Sequence, residues 1–185
     1  GNVKEFTDAE GRATIYGWGD YGELDIVIDG AGNRRTYEHD ERANVISETD
    51  AEGHVTRLTR DDKGRVIETQ FANGGVERRT WDEFNRLTSV TDAKGHVTRF
   101  EYDAFNRLIA ATDALGGVTR RAYAAAAGGF DVATEVTRPD GVSVTRAFDG
   151  QGQLATVRDG EGRTWRYRNG AFGVLEQISD PKGGT

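Results

Sequence analysis

The sequence has no cysteine and no methionine, and only two of its 185 residues are proline. Without cysteine there can be no disulfide and no thiolate metal site. Scarce proline beside 25 glycines points to many tight turns rather than to a disordered linker. No apolar run approaches the ~20 residues of a membrane-spanning helix, and none reads as a signal peptide. No Asn-x-Ser/Thr sequon occurs. Positive charge is in deficit as well: the net charge of −7 argues against a nucleic-acid partner. The missing methionine leads to the expectation that the chain is an excised or processed piece of a longer protein.

What is present is polar. Hydrophobic residues make up 36% and charged residues 30%, too lean a mixture for one thick core. A long antiparallel sheet with a wet face suits it better. Arginine outnumbers lysine by 20 to 4, a bias suited to bidentate pairs and aromatic stacking on a sheet.

The sequence repeats itself. Thr-Asp-x-x-Gly, or a close variant, recurs at Asp8, Asp29, Asp50, Asp92, Asp113, Asp159 and Asp180, with a basic step of 21 residues. Eight units are expected, starting near residues 8, 29, 50, 71, 92, 113, 138 and 159, in one array over 1–185 that is cut within a repeat at both ends. The units opening at Phe71 and Arg138 are degenerate. The unit from Asp113 is longer, with a swollen turn at residues 124–130.

A second turn falls near the middle of each unit. Tyr102-Asp103-Ala104-Phe105-Asn106-Arg107-Leu108 is its clearest copy. The turn signature comprises Asp82, Asn85 and Arg86, Asp103, Asn106 and Arg107, and Asp149 with Gly152. An Asp at the first position can bond to the backbone two residues on, and Gly or Asn at the fourth accepts a left-handed conformation. Turns every 10 or 11 residues, with strand-like residues between, predict a β-meander.

Alternation assigns the faces. Thr98, Phe100 and Tyr102 share one face with Tyr16, Trp18, Trp165 and Tyr167, while Arg57, Arg78, Arg99 and Arg120 line the other. Glu38 or Glu101 is the expected partner of the arginine column. Apolar residues after the middle turn recur three positions on, as in Leu24 and Val27 or Leu154 and Val157. An odd spacing is expected to place them on opposite faces.

No catalytic, cofactor or metal site is expected. His54 and His96 occupy one column two units apart, roughly 19 Å at about 4.8 Å per strand, too far to share an ion. The aspartates have neither EF-hand nor nonapeptide calcium spacing. Repeated carboxylates supply no pair with contrasting environments, and no nucleophile motif or phosphate loop appears. Trp18, Trp81 and Trp165 are the candidate surface contacts, although packing between strands is the commoner fate of such rings.

These residues resemble the Rhs family, whose YD repeats read Tyr-Asp-x-x-Gly-Arg-Leu followed by an Asp-x-x-Gly turn. The likeness runs over essentially the whole chain, with His39 and Asn169 standing where the Tyr would be. It implies an all-β fold of tandem hairpins forming a long curved antiparallel sheet, part of a spiral β-shell. It further implies a structural wall around the toxin domain of a bacterial polymorphic toxin. Such a toxin would be secreted or at the cell surface, and delivered by a secretion system such as type VI. The expected partners are the remainder of the shell, the enclosed toxin and, through open sheet edges, further copies of the chain. The alternative is a surface adhesion module that binds glycan or protein through the sheet face.

Overall fold

The computed structural model describes residues 2, 4–123 and 133–184. Among these it contains seventeen β-strands, one 3-10 turn at Ala171–Gly173 and no α-helix. The swollen turn expected at 124–130 lies outside the described residues.

The chain falls into two compact units, residues 1–81 with 89–96, and residues 82–88 with 97–185. The first carries β1 (Glu5–Thr7), β2 (Ala13–Trp18), β3 (Leu24–Ile28), β4 (Arg34–His39), β5 (Val45–Thr49), β6 (Val55–Arg60), β7 (Val66–Gln70) and β8 (Val76–Trp81). Strand β9 (Leu87–Thr91) has residues in both units. The second carries β10 (Val97–Tyr102), β11 (Leu108–Thr112), β12 (Val118–Ala122) and β13 (Glu135–Thr137). It continues through β14 (Ser143–Phe148), β15 (Leu154–Arg158), β16 (Thr164–Asn169) and β17 (Leu175–Ser179).

Within the first unit each strand from β1 to β8 pairs antiparallel with the next. Within the second the same holds from β10 to β17. Each unit is therefore a meander. Its strands are rich in Val, Ile, Thr and aromatic residues, which fit a pleated, half-buried surface. Ala110 is the buried apolar residue among those described, at 7% exposure, with Ser47 and Thr69 at 5%. A single sheet layer explains so thin a core.

A bulge recurs at six of the middle turns, where the turn feeds its second strand. Trp18 pairs with Leu24 but Gly17 pairs with Ile26, so one residue is skipped. The same slip follows Glu38, Thr59, Glu101, Ala147 and Arg168. This overturns the expectation drawn from odd spacing. Leu24 faces Trp18 and Val27 faces Tyr16, so both lie on the aromatic face. Leu154 opposite Phe148 and Val157 opposite Arg146 repeat the arrangement. The extra residue converts a three-residue step into a same-face step.

The arginine column also departs from expectation. Arg78 lies opposite Glu68 and pairs with it at 3.0 Å. Glu38 and Arg57 instead flank Ser47, and Glu101 and Arg120 flank Ala110. The small central residue is in both cases a buried one. Acid and base are one strand further apart than simple facing pairs would be.

The fourth turn residue takes a left-handed conformation in both kinds of turn, for example Gly64 at φ 81°, Asn85 at 63° and Asn106 at 64°. Ala43 does so at φ 60°, where its Cβ is penalised. Replacement by glycine removes that penalty but adds freedom to the unfolded chain. Ala43→Gly is therefore expected to raise the unfolding free energy by about 0.5–1 kcal/mol in urea titration. An unchanged or lowered midpoint would show that the alanine is not strained.

Candidate functional site

The chemistry-bearing side chains gather at the turns. At the middle turn of the second unit's clearest repeat, Asp103 Oδ1 accepts the N–H groups of Phe105 at 2.9 Å and Arg107 at 3.0 Å. Its Oδ2 accepts from Arg107 Nε at 2.8 Å. The backbone closes the turn through Asn106 N–H donating to Asp103 O at 3.1 Å. Asp82, Asn85 and Arg86 reproduce this set, with Arg86 Nε 2.7 Å from Asp82 Oδ2. Asp149 accepts from Gln151 and Gln153 N–H, both at 2.9 Å, and Gly152 N–H closes its turn at 3.0 Å.

The fifth residue is thus a working part of the turn. Sequence reasoning gave a role to the first and fourth positions and passed over this one. The signal was present, since Arg12, Arg65, Arg86, Arg107 and Arg163 each follow an Asp by four. Other donors fill the same place. Asn33 Nδ2 reaches Asp29 at 2.8 Å, and Asn44 Nδ2 reaches Asp40 at 3.0 Å. His54 and His96 also belong here: their Nδ1 atoms lie 3.1 and 2.9 Å from Asp50 and Asp92 Oδ2.

Where the first residue is not Asp, the acceptor comes from elsewhere. Asn73 Oδ1 accepts from Gly75 N–H at 2.9 Å in the turn opened by Phe71. Asp140 Oδ1 does the same for Val142 N–H at 2.9 Å in the turn opened by Arg138. In the turn opened by Gly19, Glu23 reaches back to Tyr21 N–H at 3.0 Å. In these three turns a different side chain supplies the acceptor that Asp supplies elsewhere.

In five hairpins the residue before the turn ties its hairpin to the previous one. Tyr102 OH donates to Leu87 O, and Tyr123 OH to Leu108 O, both at 2.9 Å and both 15 residues back. The ladder between β11 and β12 stops at Ala110 and Arg120, so Leu108 O lies beyond it and takes the phenol. Trp81 Nε1 serves Val66 O at 2.9 Å, Arg60 Nε serves Val45 O at 3.0 Å, and Asn169 Nδ2 serves Leu154 O at 2.9 Å. Asn169, which departs from the Tyr-Asp pattern, therefore makes the bond that Tyr makes. His39, another departure, lies 3.5 Å from Asp25 with its side chain 10% exposed.

Guanidinium stacking completes the network. Arg86 lies 5.1 Å from the Phe84 ring centre and 5.0 Å from that of Tyr102. Arg107 lies 5.1 Å from Phe105 and 4.6 Å from Tyr123. Arg86 also donates to Asp103 O at 3.0 Å, linking one middle turn to the next. Each such stack contributes about 0.5–1 kcal/mol at a partly exposed site.

The three candidate contact tryptophans are not equivalent. Trp81 uses its indole N–H internally and has Arg65 5.8 Å from its ring. Trp165 is half-buried opposite Val157. Trp18 is 37% exposed and stacks on Tyr16 with ring centres 6.5 Å apart. The sheet does not gather them into one site within the first unit, where Trp18 and Trp81 lie at the ends of β2 and β8.

With these features the fold and turns define a class: an array of tandem β-hairpins locked by carboxylate-centred turns. The RHS Repeat family model matches residues 81–118, which run from Trp81 through the Asp82 and Asp103 turns to Val118. Turn bonds of the same kind recur in hairpins outside the matched residues. No curated protein sequence matches it.

Among solved structures the chain is similar in fold to TcdB2-TccC3 without its hypervariable C-terminal region, with a TM-score of 0.53 and 14% identity. That alignment covers 91% of this chain and 11% of the other. It is similar also to the Photorhabdus luminescens Tc holotoxin pore with a mutation in TccC3, with a TM-score of 0.57 and 14% identity. Here 91% of this chain and 12% of the other align. The chain thus spans about a tenth of the length of the proteins it resembles. No helix among the described residues is long and apolar enough to cross a membrane.

The turn carboxylates give an acid dependence. The Arg65 side-chain hydrogen bond holds Asp61 below the ordinary carboxylate value of 3.8, and Asn44 and His96 do the same for Asp40 and Asp92. At Asp103 partial desolvation pushes upward, but the bonds from Arg107 and Phe105 outweigh it. A depressed folded value means stability that is complete above the unfolded value and is lost as pH falls through the folded one. The urea midpoint should therefore hold steady down to about pH 5 and then decline through and below 3.8. A decline already complete between pH 7 and 5 would contradict the carboxylate clamps.

Proposed function

We propose that this chain is part of the wall of a β-shell that encloses a toxin domain in a secreted, Rhs-type polymorphic toxin of bacteria. The reading rests foremost on the repetition of one structural bond set, turn after turn, without a unique site. An enzyme concentrates unlike groups at one place; this chain distributes like groups evenly. Its work is structural. The fold likeness to two Tc toxin structures, over 91% of the chain, supports the same reading.

The faces are consistent with a wall. One face of each meander carries half-buried rings and aliphatic side chains, and the other carries arginine, glutamate and threonine. Neither unit covers its aromatic face with a second layer among the described residues. Sheets with one apolar face require a covering element, and the remaining shell and its cargo would supply one. Delivery through a secretion apparatus such as type VI belongs to the same proposal.

The test is protease protection in the full-length protein. Native protein treated with protease should lose its exposed flanks while a C-terminal cargo segment stays intact, and urea that melts the array should expose that segment to cleavage. A cargo segment digested as readily in native protein as in urea would overturn the shell reading.

A further inference from the structure

Two of the seven asparagines, Asn73 and Asn169, are followed by glycine, and the structure places them in opposite chemical settings. At an Asn-Gly step the following backbone nitrogen can attack the side-chain amide carbon, because glycine presents no Cβ to hinder the approach. We propose that Asn73 is a self-modifying site that deamidates in the folded chain, whereas Asn169 is protected by the fold.

Asn73 lies third in the exposed turn between β7 and β8. Its Oδ1 accepts the Gly75 N–H at 2.9 Å, so the hydrogen bond falls on the oxygen and polarises the carbonyl under attack. The Gly74 nitrogen is held by one turn bond to Phe71 O at 2.9 Å, and a Cβ built on Gly74 would meet open space. Asn169 closes β16, half-buried and paired with Leu175. Its amide nitrogen, the atom that would leave, donates to Leu154 O at 2.9 Å. Attack there must break that bond and distort a strand end. Asn33, Asn44, Asn85 and Asn106 precede residues with side chains, which hinder the same attack.

The step balances without any co-reactant except water. The Gly74 nitrogen forms a bond to the Asn73 side-chain carbon and gives up its proton, the bond to Nδ2 breaks, and ammonia leaves. Water then opens the cyclic imide at either carbonyl, yielding aspartate or isoaspartate at position 73. The turn tolerates aspartate, since Asp140 holds the same place and makes the same bond to Val142 N–H at 2.9 Å. Isoaspartate lengthens the main chain inside the turn and disturbs the Gln70–Val76 register beside it. One product preserves the hairpin and the other loosens it.

The experiment incubates the folded chain at mildly alkaline pH and digests it under acid conditions. Peptides covering the two sites are then followed by mass, with an isoaspartyl methyltransferase to label the isomer and an Asn73→Asp variant as reference. Conversion at position 73 should outpace that at 169 several-fold in folded protein, and the two should converge in urea. Equal rates in the folded chain, or a gap that persists in urea, would overturn the proposal.

Discussion

A hairpin turn leaves backbone N–H groups that point inward with no strand partner, and an array of hairpins multiplies them. One aspartate oxygen answers two of those groups at once in this chain, as Asp103 does for Phe105 and Arg107. The second oxygen takes the side chain of the fifth residue, which fixes that residue against the turn. Much else depends on this arrangement. The fixed guanidinium of Arg107 becomes a platform for Tyr123, and Tyr123 in turn caps the carbonyl of Leu108. Local turn chemistry is thereby coupled to the packing of the next hairpin, which a single-layer sheet cannot obtain from a hydrophobic core. The net value of each link is modest, roughly 1 kcal/mol for a hydrogen bond and less for an exposed ion pair. Repetition makes the sum large enough to hold a thin sheet.

Much of this was legible in the sequence because turns are written locally. Asp, then Gly or Asn three residues later, is sufficient to place a strand on either side. The strands that begin at Val55, Val76, Val97 and Val118 keep the 21-residue step. The bulge was not legible. It arises from how the strand leaves the turn, and the residues skipped differ in kind: Asp25, Ile46, Ile67 and Ala155 leave no common signature. Counting by twos across it assigned Leu24 and Val27 to different faces, when the pairing unites them.

The candidate site divided along the same line. Asp82, Asn85, Asp103, Asn106, Asp149 and Gly152 take the turn positions their residue types required. Arg86 and Arg107 carry more than the signature implied, since their stacking partners lie on a neighbouring hairpin. His54 and His96, set aside as ligands for want of proximity, had no role until the fifth position was seen to bond the turn Asp. The Tyr of the Tyr-Asp pair was legible as a recurrent aromatic, yet in five hairpins the position acts as a donor. Trp81 and Asn169 make that bond with unrelated side chains.

The coupling between turn and neighbouring hairpin is measured most directly by a double-mutant cycle on Arg86 and Tyr102. Urea unfolding of the parent, Arg86→Ala, Tyr102→Leu and the double variant gives the interaction energy. The account predicts that the two losses do not add, with a coupling of about 0.5–1 kcal/mol. Strict additivity would mean that the guanidinium and the ring act independently, and that the turns do not hold one hairpin to the next.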